Sequence, residues 1–521
     1  MTRVRAGALV AIALVTGLSL RLARLDERPM HHDEANQAVK FGTLLERGEY
    51  RYDPNDHHGP ALYYLSLPAA ALRGQTTLAS LDERTLRGVT AVFGAATILL
   101  FVLITPGIGR TAVVAAAWLL ALSPAMVFYS RMFIQESLFA CFTLAFVITV
   151  GRAAMGGAIR WHIGAGLAAG LAVATKETAI IVLPAALAAC ALSWWSLRSD
   201  PSWNSSHRLR WSTAALASLT TAFAIATLFY SSFFANPAGL FEPLRAIGTY
   251  VDRALHSDSH VHPWHYYFGL LAYSSSGGLS WSEGLVLVLA IAGGATSWRR
   301  PHPARVHLTF WTRYLTACLV IVALVLSAIR YKTPWNLLPF YVVAIALAGV
   351  GFSALVHATG SRAVRVALTG CLVIASAQLG WQAWRASITY ASDPRNPYVY
   401  AQTVPDAVRM AARIRAVAAV HPDGSGMLVS VIAPPHEQWP LPWYLRTMPH
   451  VGYWTDPTAD LALKAPVIVA SLDHADALNA ALGDRYVSEF YGLRPDVLLS
   501  LYVERGAWDR FVAAASATGG R

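Results

Sequence analysis

The chain has 521 residues, of which 55% are hydrophobic and only 14% are charged. Soluble globular proteins carry about 25% charged residues, so this composition excludes an ordinary soluble protein and favours a membrane protein. The net charge is +11, but the basic residues are scattered over short loops and no nucleic-acid-binding motif is present. We therefore expect a lipid bilayer, and no nucleic acid, among the partners.

Apolar segments dominate the first 384 residues. The chain begins with Arg3 and Arg5, continues in an apolar run to about Leu20 and has no small-residue cleavage site after it, which predicts an uncleaved first span. The later segments are close to the roughly 20 residues that a membrane helix needs, except the fifth, 161–175, which is short. The predicted spans, about eleven in number, are 6–25, 86–105, 110–128, 132–150, 161–175, 178–196, 211–234, 283–298, 308–329, 335–353 and 363–381.

The charges of the loops predict the orientation of these spans. Basic residues gather in cytoplasmic loops, and every inner loop is basic if the N-terminus lies in the cytoplasm. The inner basic residues are then Arg110, Arg152, Arg160, Arg198, Arg208, Arg210, Arg299, Arg300, Arg305, Arg362 and Arg365. The odd number of spans puts the tail outside. We expect a multi-pass protein of the cytoplasmic (inner) membrane, with long polar segments at 26–85 and 235–282 on its outer face.

The tail after the last span has a different pattern. Short β-like runs occur at 427–432 and 466–470, and helical patterns lie between them. Strands that alternate with helices are typical of a small α/β domain. The predicted fold is an all-α polytopic membrane domain, residues 1–384, followed by a soluble extracytoplasmic α/β domain, residues 385–521.

Cysteine and histidine spacing predicts neither a disulfide nor a metal site. The histidines between residues 256 and 265 match no standard zinc spacing. No cysteine belongs to a CxxC pair, and all of them lie in apolar runs; they are Cys141, Cys190, Cys318 and Cys371. We therefore expect no cofactor, and we interpret the histidine-rich segment as a loop near the active site.

Two adjacent carboxylates, Asp33 and Glu34, open the first outer segment. Such a pair can supply a general base and a hydrogen-bonding or metal-binding partner. The alternative is a helix start, with Asp33 as the N-cap and Glu34 in the first turn. The two interpretations are compatible, because a helix N-terminus also fixes a carboxylate in place.

A second polar motif in the same segment is His57-His58-Gly59-Pro60, which precedes Tyr63 and Tyr64. Histidines beside aromatic rings suit contacts with a sugar or a phosphate. Taken alone, the pattern favours a polar turn before an amphipathic interfacial helix, with the tyrosines in the aromatic belt.

Arg131 and Glu136 lie at the boundary between two predicted spans. Ionisable groups at membrane depth are costly and are usually functional. Structural pairing between helices explains these two residues equally well.

Three further cations, Lys176, Arg330 and Lys332, lie in very short outer turns, the last two beside Tyr331 and Trp335. A phosphate-bearing lipid would need such cations close to the membrane boundary. Snorkelling explains any one of them. It explains less well why three gather on the outer side, where the orientation rule does not favour them.

These motifs together resemble the GT-C glycosyltransferases, polytopic enzymes that use polyprenyl-phosphate sugars. Asp33-Glu34, the stretch from His57 to Tyr63 and the stretch from Ser123 to Glu136 resemble the dolichyl-phosphate-mannose-protein mannosyltransferase group and its bacterial relatives. Five motifs narrow the resemblance to a prokaryotic branch named flippase-activity-associated, predicted membrane-bound mannosyltransferases. They lie at 32–35, 175–178, 331–335, 396–400 and 439–444.

The resemblance implies roles for individual residues. Asp33 would be the general base that deprotonates the acceptor hydroxyl, and Glu34 would support either Asp33 or the acceptor, in a reaction that inverts the anomeric carbon. The donor lipid phosphate would be held by Arg131, Lys176, Arg330 and Lys332. Contacts to substrate, or support of those contacts, would come from His32, His57, His58, Glu136, Tyr331 and Trp335. Asp33-Glu34 lacks the DxD spacing of metal-requiring relatives, so no metal is predicted.

Two other functions compete with the enzyme. A transporter or lipid-glycan flippase would place ionisable residues mid-span on broken helices, and few charges lie at mid-span here. A non-catalytic partner of a glycan export complex would use the tail for docking. Loss of Asp33 would abolish function only in the enzyme.

Overall fold

Helices form most of the first 384 residues in the computed structural model, which describes residues 1–56, 58–156, 158–203, 211–256, 260–298 and 305–519. Helices α1 to α17 are, in order, Arg3–Leu22, His32–Arg47, Ala61–Leu72, Glu83–Leu100, Thr105–Ile108, Arg110–Leu122, Pro124–Ser130, Glu136–Ala154, Ile159–Val173, Ala179–Trp195, Trp211–Tyr230, Glu242–His256, Tyr266–Ala272, Gly284–Ala295, Val306–Ala328, Leu338–Ala358 and Arg362–Trp384. A small antiparallel hairpin joins β1 (Ser274–Ser276) to β2 (Leu279–Trp281).

The predicted membrane segments all coincide with apolar helices. Seven of the described helices are long and apolar enough to cross a membrane, and the bent pair α6 and α7 would make an eighth. The other predicted spans correspond to α9, α10 and α14, which are apolar but only 15, 17 and 12 residues long. The polytopic helical fold class is therefore confirmed.

The bend between α6 and α7 measures 57° and has a local cause. Pro124 occupies the first position of α7 and has no N–H, so α6 cannot continue through it. Ser123 instead caps α7 and donates to the carboxylate of Glu283, 2.6 Å away. The same carboxylate accepts from the hydroxyls of Tyr341 at 2.5 Å and Tyr398 at 2.9 Å, which ties the bend to α16 and to the segment after α17.

Glycines allow α16 to lie unusually close to its neighbours. A Cβ on Gly351 would lie 1.9 Å from the backbone oxygen of Leu289 in α14, and a Cβ on Gly349 would lie 2.3 Å from that of Ala112 in α6. Small residues permit this close packing in membranes. As a result, α16 is buried from Leu338 to Phe352 and forms the centre of the bundle.

The tail folds into an α/β domain, as predicted from its pattern. Its elements are α18 (Pro405–Val420), β3 (Val429–Ile432), α19 (Pro435–Gln438), α20 (Leu441–Tyr444), β4 (Val451–Trp454), β5 (Val467–Ser471), α21 (Ala475–Leu482), β6 (Tyr486–Arg494), β7 (Val497–Glu504) and α22 (Arg505–Gly519). The five strands have the order β4-β3-β5-β7-β6. β4, β3 and β5 run parallel, whereas β7 is antiparallel to both β5 and β6.

The loop around α20 attaches this sheet to the membrane bundle beside the start of α2. The backbone N–H of Met30 donates to the Tyr444 hydroxyl at 2.7 Å, and the Trp443 indole donates to Glu83 at 2.8 Å. Nearby, the rings of Trp439 and His32 have centroids 6.0 Å apart. The α/β domain therefore lies against the segment that carries both predicted catalytic carboxylates.

Candidate active site

A histidine caps the helix that carries the predicted catalytic pair. His31 is the N-cap of α2, and its Nδ1 accepts from the backbone N–H of Asp33 at 3.0 Å. Its Nε2 lies 2.9 Å from the backbone oxygen of Tyr400. A carbonyl oxygen only accepts hydrogen bonds, so Nε2 carries the proton and Nδ1 is free to cap. The expectation that Asp33 is the cap is therefore wrong, because the helix begins two residues earlier and places Asp33 in its first turn.

The two adjacent carboxylates have opposite environments. The Glu34 side chain is fully buried and accepts from Arg87 at 2.7 and 2.9 Å, from Arg28 at 3.2 Å and from the backbone N–H of Phe133 at 2.9 Å. Burial raises the pKa of Glu34, but Arg87 and Arg28 outweigh it and lower that pKa to about 2. Glu34 is thus a permanently charged structural anchor, and it does not line the cavity into which Asp33 opens.

Asp33, in contrast, is 41% exposed and opens into a cavity. Its carboxylate approaches the Nδ1 of His31 at 3.9 Å and accepts no hydrogen bond from any described side chain. Burial raises the pKa of Asp33, three neighbouring histidines and Lys176 lower it, and the lowering prevails. Asp33 is therefore ionised at neutral pH and free to accept a proton or a hydrogen bond.

The cavity has a volume of about 360 Å³, and both polar and aliphatic side chains line it. Its ionisable lining residues are His32, Asp33, Asp56, His58, Glu136, Lys176, Glu177, Tyr267 and Tyr331. Its aliphatic lining residues are Ile134, Ile180, Ile181, Ile247, Leu326 and Ile329. Such a lining fits a ligand with a polar head and a hydrocarbon tail.

Lys176 lines this cavity, and residues from two other parts of the chain hold its ammonium group. Its Nζ donates to Glu136 at the start of α8, at 2.6 Å, and to Asn336 before α16, at 2.8 Å. An ammonium group has three donors, so one remains for a ligand. The second carboxylate oxygen of Glu136 is buried without a described hydrogen-bond partner, which leaves one acceptor beside that donor.

His58 and Glu177 connect the first outer segment to the turn between α9 and α10. His58 Nδ1 lies 2.8 Å from Glu177, and the Tyr52 hydroxyl donates to the other oxygen of that carboxylate at 3.1 Å. Farther along, the N–H of Ala61 donates to the oxygen of Ala174 at 2.8 Å. These contacts place His58 in the cavity wall, whereas His57 lies outside the described residues.

Three of the four predicted phosphate-binding cations do not line the cavity. Arg131 donates instead to carbonyl oxygens at the C-terminal end of α1, those of Leu20, Arg21, Ala23 and Arg24. Lys332 is buried, and its Nζ donates to the oxygens of His262, at 3.0 Å, and Ile329. Arg330 is exposed and lies in the sequence between two residues that line the cavity, Ile329 and Tyr331.

Aromatic side chains form the wall between Asp33 and the 396–400 motif. Trp335 lines the cavity and packs on His31, with ring centroids 5.7 Å apart, and on Tyr400, 6.0 Å apart. The Tyr400 hydroxyl contacts His260 Nδ1 at 2.5 Å and His262 Nε2 at 3.3 Å. His262 thus belongs to an aromatic cluster. Among the described side chains, no three His, Cys, Asp or Glu groups lie close enough to hold a metal ion.

Sequence reasoning missed several residues of this site. His31 and Tyr400 were not predicted to act in it, nor were Asn336 and Glu177. Tyr400, Asn336 and Glu177 each lie in or next to a motif that carries the family resemblance. Their proximity to a motif is the sequence signal that could have identified them. The sequence carries no signal for His31 as a cap, because Ser, Thr, Asp and Asn are the preferred residues there.

Comparison with known proteins identifies the fold of the chain. The family described as dolichyl-phosphate-mannose-protein mannosyltransferase matches residues 66–230. ArnT from Cupriavidus metallidurans superposes over 95% of this chain and 97% of its own, with 16% identity and a TM-score of 0.61. The chain has the GT-C fold. None of the curated proteins matches it in sequence.

The GT-C fold is also shared with the archaeal oligosaccharyltransferase AglB from Archaeoglobus fulgidus. That structure matches 97% of this chain and 77% of its own, with 15% identity and a TM-score of 0.58. ArnT has been solved bound to undecaprenyl phosphate, and AglB in complex with an inhibitory peptide and a dolichol-phosphate. The resemblance expected from the motifs is confirmed at the level of the fold.

Proposed function

We propose that this chain is an integral membrane glycosyltransferase that transfers a sugar from a polyprenyl-phosphate-linked donor to an acceptor hydroxyl. The observation that carries the proposal is the amphipathic cavity, in which a free Asp33 carboxylate and the Lys176 ammonium line one space. GT-C proteins of the same fold have been solved with undecaprenyl phosphate or a dolichol-phosphate bound. The polar lining groups suit a sugar and a phosphate, and the aliphatic lining residues suit isoprene units.

In the proposed reaction, the acceptor oxygen attacks the anomeric carbon while Asp33 takes the hydroxyl proton. The bond between the anomeric carbon and the phosphate oxygen breaks, and the polyprenyl phosphate leaves with that electron pair. The third N–H of Lys176 stabilises the charge that develops on the phosphate. A single displacement of this kind inverts the anomeric carbon. Asp33 is a weak base, so its position contributes more than its basicity.

The other predicted site residues receive distinct roles in this proposal. Glu34 fixes the start of α2 and thereby the position of Asp33, and Arg131 fixes the end of α1. Arg330 is the second candidate for the donor phosphate, because it is exposed beside the lining residue Tyr331. Lys332 stabilises the turn between α15 and α16 and does not bind the phosphate.

Three finer features complete the proposal. The transferred sugar is mannose, which is supported by the family match over residues 66–230. The chain lies in the cytoplasmic membrane with its N-terminus inside, which is supported by the basic inner loops. Residues 385–521 form the extracytoplasmic domain, and their contact with the start of α2 favours a role near the acceptor.

The test compares sugar transfer by purified wild type, Asp33→Asn and Asp26→Asn, with a panel of polyprenyl-phosphate sugars and native membrane extract as the acceptor source. Asp26 is a matched control, because its side chain is also 41% exposed but pairs with Arg84 outside the cavity. We expect Asp33→Asn to lose at least about 100-fold in transfer, the usual size of a general-base contribution. Equal loss in both variants, or none in either, would contradict the role of Asp33.

A further inference from the structure

A second cavity lies at the opposite end of α16. Asn336, just before α16, lines the candidate active site, whereas His357, near its end, lines this second space of about 680 Å³. The 21 residues of α16 span about 30 Å at 1.5 Å per residue. The two cavities are therefore a membrane thickness apart, and the second one opens on the side that the loop charges predict to be cytoplasmic.

The charge of this second cavity has one sign. Arg110, Arg305 and His357 line it, and its described lining contains no Asp or Glu. The hydroxyl groups of Thr309 and Ser353 line the same space as the two arginines. The lining therefore offers donors and positive charge without a carboxylate from the protein to balance them.

The positions of the two arginines add to the uncompensated positive charge around the cavity. Arg110 is the first residue of α6 and Arg305 is the N-cap of α15, and neither helix has a side-chain cap or an acidic residue in its first turn. A helix N-terminus carries a partial positive charge, so a cation there is unfavourable. Two such ends beside one cavity form an arrangement that a bound anion would stabilise. The orientation rule explains why arginines lie on this side, but not why they occupy helix N-termini around a cavity.

The rest of the lining indicates which kind of anion fits. Ile108, Leu308 and Val350 are aliphatic and line the same space as the cations. An ion such as free phosphate would leave this apolar surface uncovered. We propose that the cavity binds the phosphate headgroup of an anionic membrane lipid, with the first carbons of its chains against the aliphatic residues. This site does not depend on the function proposed for the outer cavity.

The experiment uses the full chain, purified in neutral detergent with its lipids removed. Thermal unfolding and native mass spectrometry are measured with added phosphatidylglycerol, undecaprenyl phosphate, phosphatidylcholine or inorganic phosphate. The variant is Arg110→Gln with Arg305→Gln. The matched control is Arg362→Gln with Arg365→Gln, which removes two exposed arginines from α17 that do not line the cavity.

We expect phosphatidylglycerol or undecaprenyl phosphate to bind at least tenfold more weakly to the cavity variant and unchanged to the control. Whichever lipid binds more tightly to wild type identifies the source of the phosphate. Without lipid, the cavity variant should melt at the same temperature as wild type or higher, because it loses unfavourable charge at two helix ends. Equal weakening in both variants, equal binding of phosphatidylcholine, binding of inorganic phosphate alone, or a lower melting temperature without lipid would overturn the proposal.

Discussion

The two cavities at the ends of α16 differ most clearly in how their charge is arranged. The outer cavity holds four carboxylates, those of Asp33, Asp56, Glu136 and Glu177, and the amine of Lys176. The inner cavity holds two arginines and a histidine, with no carboxylate in its described lining. Mixed charge in pairs suits a site that moves a proton and releases a leaving group, whereas uncompensated charge of one sign suits a site that only holds an anion. This difference in charge indicates that, within one helical bundle, the outer cavity suits a reaction and the inner cavity suits the binding of an anion.

The largest expected effect is a difference in thermal stability between variants of the two adjacent carboxylates, Glu34 and Asp33. Glu34→Ala leaves Arg87 and Arg28 buried without their partner, which costs roughly 3–5 kcal/mol. We expect this variant to fail to accumulate, or to melt well below wild type. Asp33→Asn should melt like wild type, because its carboxylate has no hydrogen-bond partner to lose. Thermal unfolding of both purified variants measures the contrast, and equal melting temperatures would contradict it.

The next effect tests whether Lys176 or Lys332 binds the phosphate of the sugar donor. Lys176→Gln should reduce kcat for transfer by about 100-fold, the size seen when a donor to a developing charge is removed. Lys332→Gln should instead lower the yield of folded protein and leave kcat of the folded fraction close to wild type, because its Nζ bonds only backbone oxygens. Active-site titration of both variants separates folded fraction from kcat. The reverse pattern would assign the phosphate to Lys332.

A smaller effect concerns the cap of α2. His31→Asn keeps an acceptor for the N–H of Asp33 but loses the bond to Tyr400, and His31→Gln does the opposite. Loss of a cap costs about 1 kcal/mol, or about fivefold in rate if the position of Asp33 depends on it. We expect His31→Gln to lower kcat more than His31→Asn, with KM for the donor unchanged. A change in KM alone would place His31 in substrate binding instead.

The pH dependence should be the smallest effect near neutrality. The pKa of Asp33 lies below its ordinary value of 3.8, so the base stays ionised above about pH 4 and transfer falls only when the pH drops below that. Burial lowers the pKa of His32 to about 4, so His32 is neutral over the same range. We expect the rate profile to show no inflection near pH 6.5. An inflection there that disappears in His32→Gln would show that His32 carries a proton in the reaction.

The sequence predicts the bundle and the tail well, because both rest on local composition. Apolar runs mark the spans, and alternating patterns mark the sheet. The different environments of Asp33 and Glu34 could not be predicted from the sequence. Neighbouring side chains on a helix point about 100° apart. Which of the two is buried is set by Arg87, far along the chain. Arg131 illustrates the same limit, because its partners are carbonyls at the end of α1.

The glycine contacts between α14 and α16 affect what can cross the protein. With Gly351 this close to the backbone of Leu289, neither a water file nor an acyl chain fits between the two helices. Any exchange of water, ions or lipid between the outer and inner cavities along this seam would require α14 and α16 to separate. The contact between α14 and α16 therefore closes this seam to passage between the two cavities.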